Sequence, residues 1–569
     1  MSITKNTCRA IYGGGFAMML ALGLIGCSDT KDDAPPMLDF VEAPMLNYER
    51  VPGHNEVEKV VSSIHHAPQQ AYSNPHNPEM NTNSFTQKTE NGFKLVSTAP
   101  LSTFSSDVDT ASYAIVRKQI EAGTLPSSDM VRIEEMLNSF RYNLPAPKDA
   151  PIGVSLELSN AMWNEQHKIL RIGLAAKEID WKNRKPFNLV FLIDTSGSMQ
   201  GEHRIGLVQK SLKMLVENLG EADSVGIVTY AGDSRIALQP TKNKQEIIKA
   251  IESLSAYGST HGSAGITTAY ELAQKHFKKG GYNRVILATD GDFNVGITSE
   301  GDLLKLVKEK AKGGVYLSVF GYGMGNYKDS MLQKLADNGN GNYGYIDNIL
   351  EAKKHLVEQV GANLITVAKD VKIQVEFNPV KVSAYRLIGY EKRLLEDRDF
   401  NDDSKDAGEM GSGHNVVALY EIVPVGVKLE SSTPLAPDSK GVVDPLKYSQ
   451  NIAKQGDNGD LSDEWATVKV RYKEPANQAS SKETSKLLSF SLDSHTLLNG
   501  APAISEQGSK DMMFAQSVAT FGMLLSDSPF KGDTSYTQIL NTLGREGVCN
   551  DSYKQEFLGL VATASRLKP

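Results

Sequence analysis

Hydrophobic and polar positions between residues 187 and 364 alternate regularly between short apolar runs and amphipathic segments. The apolar runs predict strands at residues 188–193, 225–230, 235–238, 285–289, 315–320 and 343–346. The amphipathic segments predict helices at residues 204–219, 245–254, 264–277, 301–311, 330–336 and 350–363. The first run, 189–193 (LVFLI), is apolar at every position, as expected of a strand covered on both faces. We therefore predict an α/β domain with a doubly wound, mostly parallel, Rossmann-like sheet over residues 187–364.

Two flanking regions have other patterns. Residues 101–182 combine two helical patterns with two alternating stretches and predict a small α/β domain. Residues 366–569 contain several alternating stretches, which predict a β-rich, sandwich-like region ending in helices. The terminal helical stripe consists of Phe514, Val518, Phe521 and Leu525. We expect this stripe to be core, and the two flanks can pack together around the central domain.

The chain begins with a pattern typical of export. Lys5 and Arg9 precede an apolar run that is too short to span a bilayer as a helix, so residues 1–26 are interpreted as a signal peptide. The run ends in LIGC at 24–27, which resembles the bacterial lipobox and implies lipidation of Cys27. Ser28 resembles the signal that sorts lipoproteins to the outer membrane of Gram-negative bacteria, in preference to the inner membrane. We therefore expect a lipid-anchored protein of the cell envelope, with residues 27–100, rich in Pro, Asn and Ser, as a flexible tether.

Composition narrows the function classes. Hydrophobic residues make up 40% and charged residues 22% of the chain, as in ordinary globular proteins. The formal net charge is -8, and no long basic run is present. Nucleic-acid binding is therefore not expected.

Candidate chemistry follows the first predicted strand directly, in residues 194–199 (DTSGSM). Asp194, Ser196 and Ser198 are spaced two residues apart, so a loop at the strand's carboxyl end can point all three side chains towards one centre. Carboxylate and hydroxyl oxygens are hard ligands, which suit Mg²⁺, Mn²⁺ or Ca²⁺ and not zinc or copper. The loop therefore predicts part of a divalent-cation site.

Two further segments complete a recognisable pattern: residues 258–260 (GST) and residues 289–292 (TDGD), the latter at the end of another apolar strand. Together the three segments resemble the metal-ion-dependent adhesion site of von Willebrand factor type A (VWA) domains. The resemblance implies that the cation ligands are Asp194, Ser196, Ser198, Thr260 and Asp290. In that family the first and fourth strands are neighbours where the winding reverses, so the two carboxylates converge there. We expect Mg²⁺ as the cation, with Mn²⁺ and Ca²⁺ as alternatives, and an Asp or Glu of a protein partner at its open position.

The flanks extend the resemblance to nearly the whole body of the chain. Residues 107–113 (DVDTASY), 131–136 (VRIEEM) and 418–421 (ALYE) look like segments of YfbK-type bacterial lipoproteins. The resemblance implies a common architecture over nearly the whole body of the chain.

The expected function is protein binding without catalysis. Ser196 and Ser198 have neither the GxSxG nor the SxxK spacing of a serine nucleophile, and the chain has no P-loop. Two alternatives stay open. One is an envelope scaffold or chaperone that acts through its flanks and retains a vestigial metal site, and the other is an unrecognised hydrolase. The identity of the partner, the orientation in the envelope and the oligomeric state do not follow from the sequence.

Overall fold

The computed structural model of the protein describes residue 85 and the ranges 89–257, 263–291, 300–323, 327–429, 445–448, 461–475 and 484–567. The strands in these ranges are β1 (Lys94–Leu95), β2 (Leu101–Ser105), β3 (Ile152–Asn160), β4 (Lys168–Ala176), β5 (Phe187–Asp194), β6 (Ser224–Tyr230), β7 (Ser234–Thr241), β8 (Tyr282–Thr289), β9 (Val315–Tyr322), β10 (Tyr343–Ile346), β11 (Thr366–Phe377), β12 (Val382–Ile388), β13 (Leu394–Leu395), β14 (Gly408–Gly411), β15 (Asn415–Pro424), β16 (Ala466–Lys473), β17 (Lys486–Leu492), β18 (Leu497–Leu498) and β19 (Ala501–Pro502). The helices are α1 (Ala111–Glu121), α2 (Ile133–Asn138), α3 (Ile205–Glu217), α4 (Lys244–Glu252), α5 (Ser263–Lys275), α6 (Glu300–Lys312), α7 (Asp329–Asn338), α8 (Ile349–Lys353), α9 (Val360–Leu364), α10 (Lys510–Leu525), α11 (Tyr536–Leu543) and α12 (Ser552–Leu567).

Among the described residues, a central six-stranded sheet has the order β10-β9-β8-β5-β6-β7. Neighbouring strands in it are parallel except β6 and β7, which are antiparallel. The chain runs outward from β5 through β6 and β7 and then returns to β8 on the other side of β5, so the winding reverses between β5 and β8. The doubly wound, mostly parallel α/β sheet predicted from the sequence is confirmed.

Strand β5 is buried on both faces because helices cover both sides of the central sheet. Leu189 and Phe191 face the core that contains α3, whereas Val190 and Leu192 face the core that contains α5. All four side chains are fully buried. This two-sided burial explains the unbroken apolar run and leaves Asp194, the first polar residue after it, at the carboxyl edge of the sheet.

The two flanking regions share their sheets. One antiparallel sheet has the order β1-β12-β15-β4-β3, so β4, which precedes the central sheet in the chain, pairs with β15, which follows it. The other has the order β13-β2-β11-β16-β17, and in it β2 pairs with β11. The rings of Phe377 on β11 and Tyr385 on β12 stack with their centroids 4.2 Å apart, so the two sheets pack face to face. The segments predicted as separate flanks, 101–182 and 366–569, thus supply strands to one β-sandwich.

The carboxyl-terminal region ends in helices, as the sequence predicts. Phe514, Val518 and Phe521 on α10 are fully buried, and Phe514 packs edge to face against Phe557 of α12. The helical stripe is therefore core. No helix in the described ranges is both long enough and apolar enough to cross a membrane.

Residues 350–363, predicted as one helix, form α8 and α9 with a π-helical turn at Lys354–Glu358 between them. The turn begins at Lys354, which forms an ion pair with the buried Glu351, and Glu351 also pairs with Arg117. A π-helical turn contains extra backbone, so it shifts the later side chains around the helix axis. Hydrophobic periodicity alone does not predict such a turn.

Buried arginines tie the flank that precedes the central sheet to the central domain. Arg117 on α1 pairs with Asp347, just after β10, at 2.5 Å between Nη2 and Oδ1. Arg132 at the start of α2 pairs with Asp329 on α7, at 2.9 Å between Nη1 and Oδ2. Each of these four side chains is at most 4% exposed, so the contact between flank and central domain is specific and largely dry.

Candidate metal centre

Asp194 is the last residue of β5 and begins the loop that carries the predicted hydroxyl ligands. Its side chain is fully buried, and its Oδ1 accepts a hydrogen bond from the backbone N–H of Ser196 at 2.9 Å. This bond curls the loop back over the strand end, where Gly197–Met199 form a 3-10 turn. Ser196 Oγ and Ser198 Oγ then lie 2.9 Å apart. The structure therefore brings these three predicted residues together.

Asp290 directly follows β8, the parallel neighbour of β5. The register pairs Ile193 with Ala288, so the two strands end side by side. Asp290 is only 6% exposed, and its negative charge contributes to raising the pKa of Asp194. The second predicted carboxylate thus lies at the same edge of the sheet as the first, where the winding reverses.

Two buried hydroxyl groups that the sequence analysis missed hold Asp194 in place. Thr289 Oγ1 donates to Asp194 Oδ2 at 2.9 Å, and the Tyr230 hydroxyl donates to the same oxygen at 3.1 Å. Tyr230 ends β6 and pairs in register with Asp194. The sequence signal for both residues is their place at the ends of the strands beside β5, which becomes visible only once the sheet order is known. Such hydrogen bonds orient a metal ligand and restrict its rotation.

The site carries an electrostatic cost without a cation. Burial raises the pKa of Asp194 to about 6, while the Ser196 hydroxyl and backbone N–H lower it and the Asp290 carboxylate raises it further. Two carboxylates buried near each other require a proton or a cation for balance. A bound dication would supply that balance.

The donors present at this edge fit a hard divalent cation. In an octahedral Mg²⁺ site with Mg–O distances of about 2.1 Å, adjacent ligand oxygens are about 3 Å apart. The Ser196 and Ser198 hydroxyl oxygens have nearly this separation, 2.9 Å. Across the described ranges, no group of three His, Cys, Asp or Glu side chains is arranged to hold a metal. The donors around Asp194 are of another kind, because they combine hydroxyl groups with carboxylates.

Two predicted residues, the hydroxyl ligand Thr260 and the lipidation residue Cys27, lie outside the described residues. The described chain approaches Thr260 as far as Tyr257, whose backbone N–H donates to the Thr195 carbonyl at 2.8 Å. The Tyr257 side chain is 61% exposed. Tyr257 therefore lies at the surface directly beside the loop that carries the two serines.

Arg204 braces the same loop and was also missed from the sequence. Its Nη1 donates to the Ser198 carbonyl, and its side chain packs against Gly323 just after β9. A Cβ at Gly323 would lie 2.5 Å from Arg204 Nε, so the close approach requires glycine there. An arginine before a helix belongs to no motif, and the sequence alone gave no signal for this contact.

A doubly wound sheet with carboxylates and hydroxyls at the reversal between its first and fourth strands is the arrangement of a von Willebrand factor type A domain. The family model described as von Willebrand factor type A domain matches residues 188–379. Two further models match the flanks: the one described as von Willebrand factor matches residues 79–171, and the one described as uncharacterized protein YfbK, C-terminal, matches residues 362–567.

The uncharacterized protein YfbK of Escherichia coli is 43% identical to this chain over 496 residues, which cover 85% of this chain and 81% of that protein. The chain therefore belongs to the YfbK family, as the sequence resemblance predicted. The uncharacterized protein sll0103 of Synechocystis is 31% identical over 187 residues, covering 32% of this chain and 43% of that protein. A solved structure of von Willebrand factor type A from Catenulispora acidiphila shares 15% identity, with 74% of this chain and 91% of that chain covered and a TM-score of 0.37.

Proposed function

We propose that this protein is a lipid-anchored component of the bacterial cell envelope that binds a protein partner through a divalent cation. The cation, preferentially Mg²⁺, is held by Asp194, Ser196, Ser198, Thr260 and Asp290. The partner supplies an Asp or Glu carboxylate to the open coordination position. In this proposal the protein has no catalytic activity of its own.

One observation carries the proposal. The Asp194 carboxylate is fully buried and accepts hydrogen bonds from Ser196, Thr289 and Tyr230, all of them uncharged donors. The main influences on its pKa are burial, the Ser196 and Thr289 hydrogen bonds and the Asp290 charge, and none of them comes from a Lys, Arg or His. Burial of an unpaired carboxylate costs several kcal/mol, on the order of the penalty known for broken buried ion pairs. A cation at this position offsets that penalty, which accounts for a carboxylate at this buried position.

The coordination chemistry explains how a cation would lead to partner binding. An octahedral Mg²⁺ keeps positions for water when the protein supplies one or two carboxylates. A carboxylate oxygen of a partner can replace such a water and form a bond at the partly buried rim. The Ser196 and Ser198 hydroxyls act as neutral ligands in this scheme, since their oxygens lie next to each other at the end of β5.

Support for the envelope location comes from the amino terminus of the chain. The sequence LIGC at 24–27 resembles a lipobox, and two acyl chains on Cys27 are enough to anchor a protein stably. The following Ser28 favours the outer membrane over the inner membrane. Acyl chains, and not the acidic protein surface, would therefore hold the protein at the membrane.

A capture experiment tests the proposal. The mature protein is immobilised and exposed to envelope extract in Mg²⁺ or EDTA, as wild type, Asp194→Asn or Glu202→Gln. Glu202 is the matched control, because it is a carboxylate close to the loop that is 77% exposed and paired with Lys210. We expect wild type and Glu202→Gln to retain the same partner in Mg²⁺ only, and Asp194→Asn to retain none. A partner held equally by all three proteins in EDTA would instead assign binding to the flanks.

A further inference from the structure

Tyr327 occupies a slot between the ends of β8 and β9, directly behind the candidate metal centre. A Cβ at Gly321 on β9 would lie 1.8 Å from the Tyr327 hydroxyl oxygen. A Cβ at Gly291, which has a φ of +87°, would lie 2.9 Å from Tyr327 Cδ2. Gly291 directly follows Asp290, and Gly321 pairs in register with Thr289. The Tyr327 ring therefore lies against Gly291, next to Asp290, and against Gly321, which pairs with Thr289.

A hydrogen-bond chain fixes Tyr327 in this slot. The Tyr343 hydroxyl on β10 donates to Asp329 Oδ1 at 2.7 Å. Because its single proton is used in that bond, the Tyr343 oxygen accepts from the Tyr327 hydroxyl, which lies 2.7 Å away. The Tyr327 ring also packs edge to face against Tyr345, with centroids 5.1 Å apart. All three tyrosine side chains are at most 1% exposed, so the chain is sheltered from water.

This hydrogen-bond chain ends at an arginine from outside the central domain. Arg132, at the start of α2, donates to Asp329 from Nη1 at 2.9 Å and from Nη2 at 3.1 Å. Its guanidinium is also paired with Glu135, and its backbone N–H donates to Ser112 Oγ at 2.8 Å. Asp329 is fully buried, and this two-pronged ion pair compensates for the burial of its side chain. The flank thus holds the far end of the hydrogen-bond chain.

We infer that Arg132 is a positioning residue for the cation site. Through Asp329, Tyr343 and Tyr327, it holds the ends of β8 and β9 so that Asp290 lies beside Asp194. This inference rests on the proposed function, because it assigns to the flank a role in the affinity of the proposed site. It predicts that the central domain binds its cation fully only when the preceding flank is docked.

The test measures Mn²⁺ affinity by electron paramagnetic resonance on the full mature chain, together with the midpoint of thermal unfolding. We expect Arg132→Met to weaken Mn²⁺ binding by about 10- to 100-fold, the range usual for residues that support metal ligands. The matched control is Arg171→Met. Arg171 is an equally buried arginine, 2% exposed, and it pairs with Glu157 between β3 and β4 in the β-sandwich. Arg171→Met should lower the unfolding midpoint and leave Mn²⁺ affinity within about twofold of wild type.

Tyr327→Phe is the second variant, and its Mn²⁺ affinity tests the inference if Arg132→Met does not fold. It keeps the ring in the slot and removes the bond to Tyr343, so a smaller loss of Mn²⁺ affinity is expected without a comparable loss of stability. Unchanged affinity in a folded Arg132→Met, or in Tyr327→Phe where Arg132→Met does not fold, overturns the inference while the proposed site stands. An equal loss in Arg171→Met also overturns it, because the effect would then be general destabilisation. If wild type binds no Mn²⁺, the proposed function fails first.

Discussion

Thr289 Oγ1 donates a hydrogen bond of 2.9 Å to Asp194 Oδ2, and this bond joins the ends of β8 and β5. The chain leaves β5 towards β6 and leaves β8 towards β9, so the connections after the two strands run in opposite directions along the sheet. A crevice remains between their carboxyl ends. The bond crosses that crevice and fixes one carboxylate of the candidate site while Asp290 follows immediately on the same strand end. The position of the site is therefore a consequence of the strand order.

Tyr230→Phe tests whether the orientation of Asp194 matters for cation binding. The change removes the 3.1 Å hydrogen bond to Asp194 Oδ2 and keeps the buried ring. We expect Mg²⁺ affinity to fall by about 10-fold or more, because hydrogen bonds that orient a metal ligand typically contribute that much. Isothermal titration measures it. The control is Tyr270→Phe. The Tyr270 hydroxyl on α5 is buried without a hydrogen-bond partner among the described residues, so the Mg²⁺ affinity of this variant should equal that of wild type.

Arg393→Met tests the contact among the two flanks and the central domain. Arg393 pairs with Asp107 at 2.6 Å, with Asp109 at 2.8 Å and with Asp337 on α7 at 3.1 Å. Its removal leaves three carboxylates close together without the guanidinium that pairs with all of them. We therefore expect the free energy of unfolding to fall by about 3–5 kcal/mol. Urea unfolding measures this change.

The exposed Arg398 provides the comparison for Arg393. It is 62% exposed and pairs with Glu396 at the surface. Arg398→Met should change the free energy of unfolding by less than about 1 kcal/mol. Equal effects of the two substitutions would show that the cluster around Arg393 does not stabilise the fold.

His414→Gln tests a pH dependence. Burial and the nearby Arg141 lower the pKa of His414 to about 4, so the folded protein keeps this imidazole neutral. In the unfolded chain the imidazole takes up a proton near pH 6.5. Between pH 6.5 and pH 4 the unfolded state therefore binds more protons, and folding stability falls as the pH falls.

We expect His414→Gln to lose less stability than wild type between pH 6.5 and pH 4.5, as measured by urea unfolding at several pH values. His495→Gln is the control, because His495 is exposed. The free energy of unfolding of His495→Gln, plotted against pH, should run parallel to that of wild type. Parallel curves for His414→Gln and wild type would contradict the lowered pKa.

Cys27→Ser tests the proposed lipid anchor. We expect the wild-type protein to incorporate radiolabelled palmitate and to sediment with outer membranes, since two acyl chains bind a bilayer stably. Cys27→Ser should do neither, whereas Cys549→Ser, which replaces the cysteine at the other end of the chain, should behave as wild type. Labelling that survives in Cys27→Ser would rule out the anchor at this residue.

The predicted ligands on the first loop could be found from sequence because their geometry is local. Asp194, Ser196 and Ser198 follow one buried strand at alternate positions, and the Ser196 N–H bond to Asp194 is made within three residues. Tyr230 and Thr289 could not be found in this way. They reach Asp194 from neighbouring strands, 36 and 95 residues away in the chain, so their role depends on strand order and register.

The shared β-sandwich illustrates the same limit on a larger scale. Alternation at β4 and β15 predicts strands with one buried face, but it does not say that these two strands pair with each other. The partner strands lie on either side of the central domain in the chain, so the sequence pattern suggested two separate flanks. Pairing over such distances is encoded in the packing of side chains such as Phe377 on Tyr385.

The central claim is that Asp194 belongs to a divalent-cation site. Titration of Mn²⁺ into the mature protein, followed by electron paramagnetic resonance, tests it most directly. Wild type and the surface variant Glu202→Gln should bind one ion with the same affinity. Asp194→Asn keeps the shape of the side chain and removes its charge, so its affinity should be at least 100-fold weaker, a change of about 2.7 kcal/mol. Equal Mn²⁺ binding by Asp194→Asn and wild type, or none by wild type, would contradict the account.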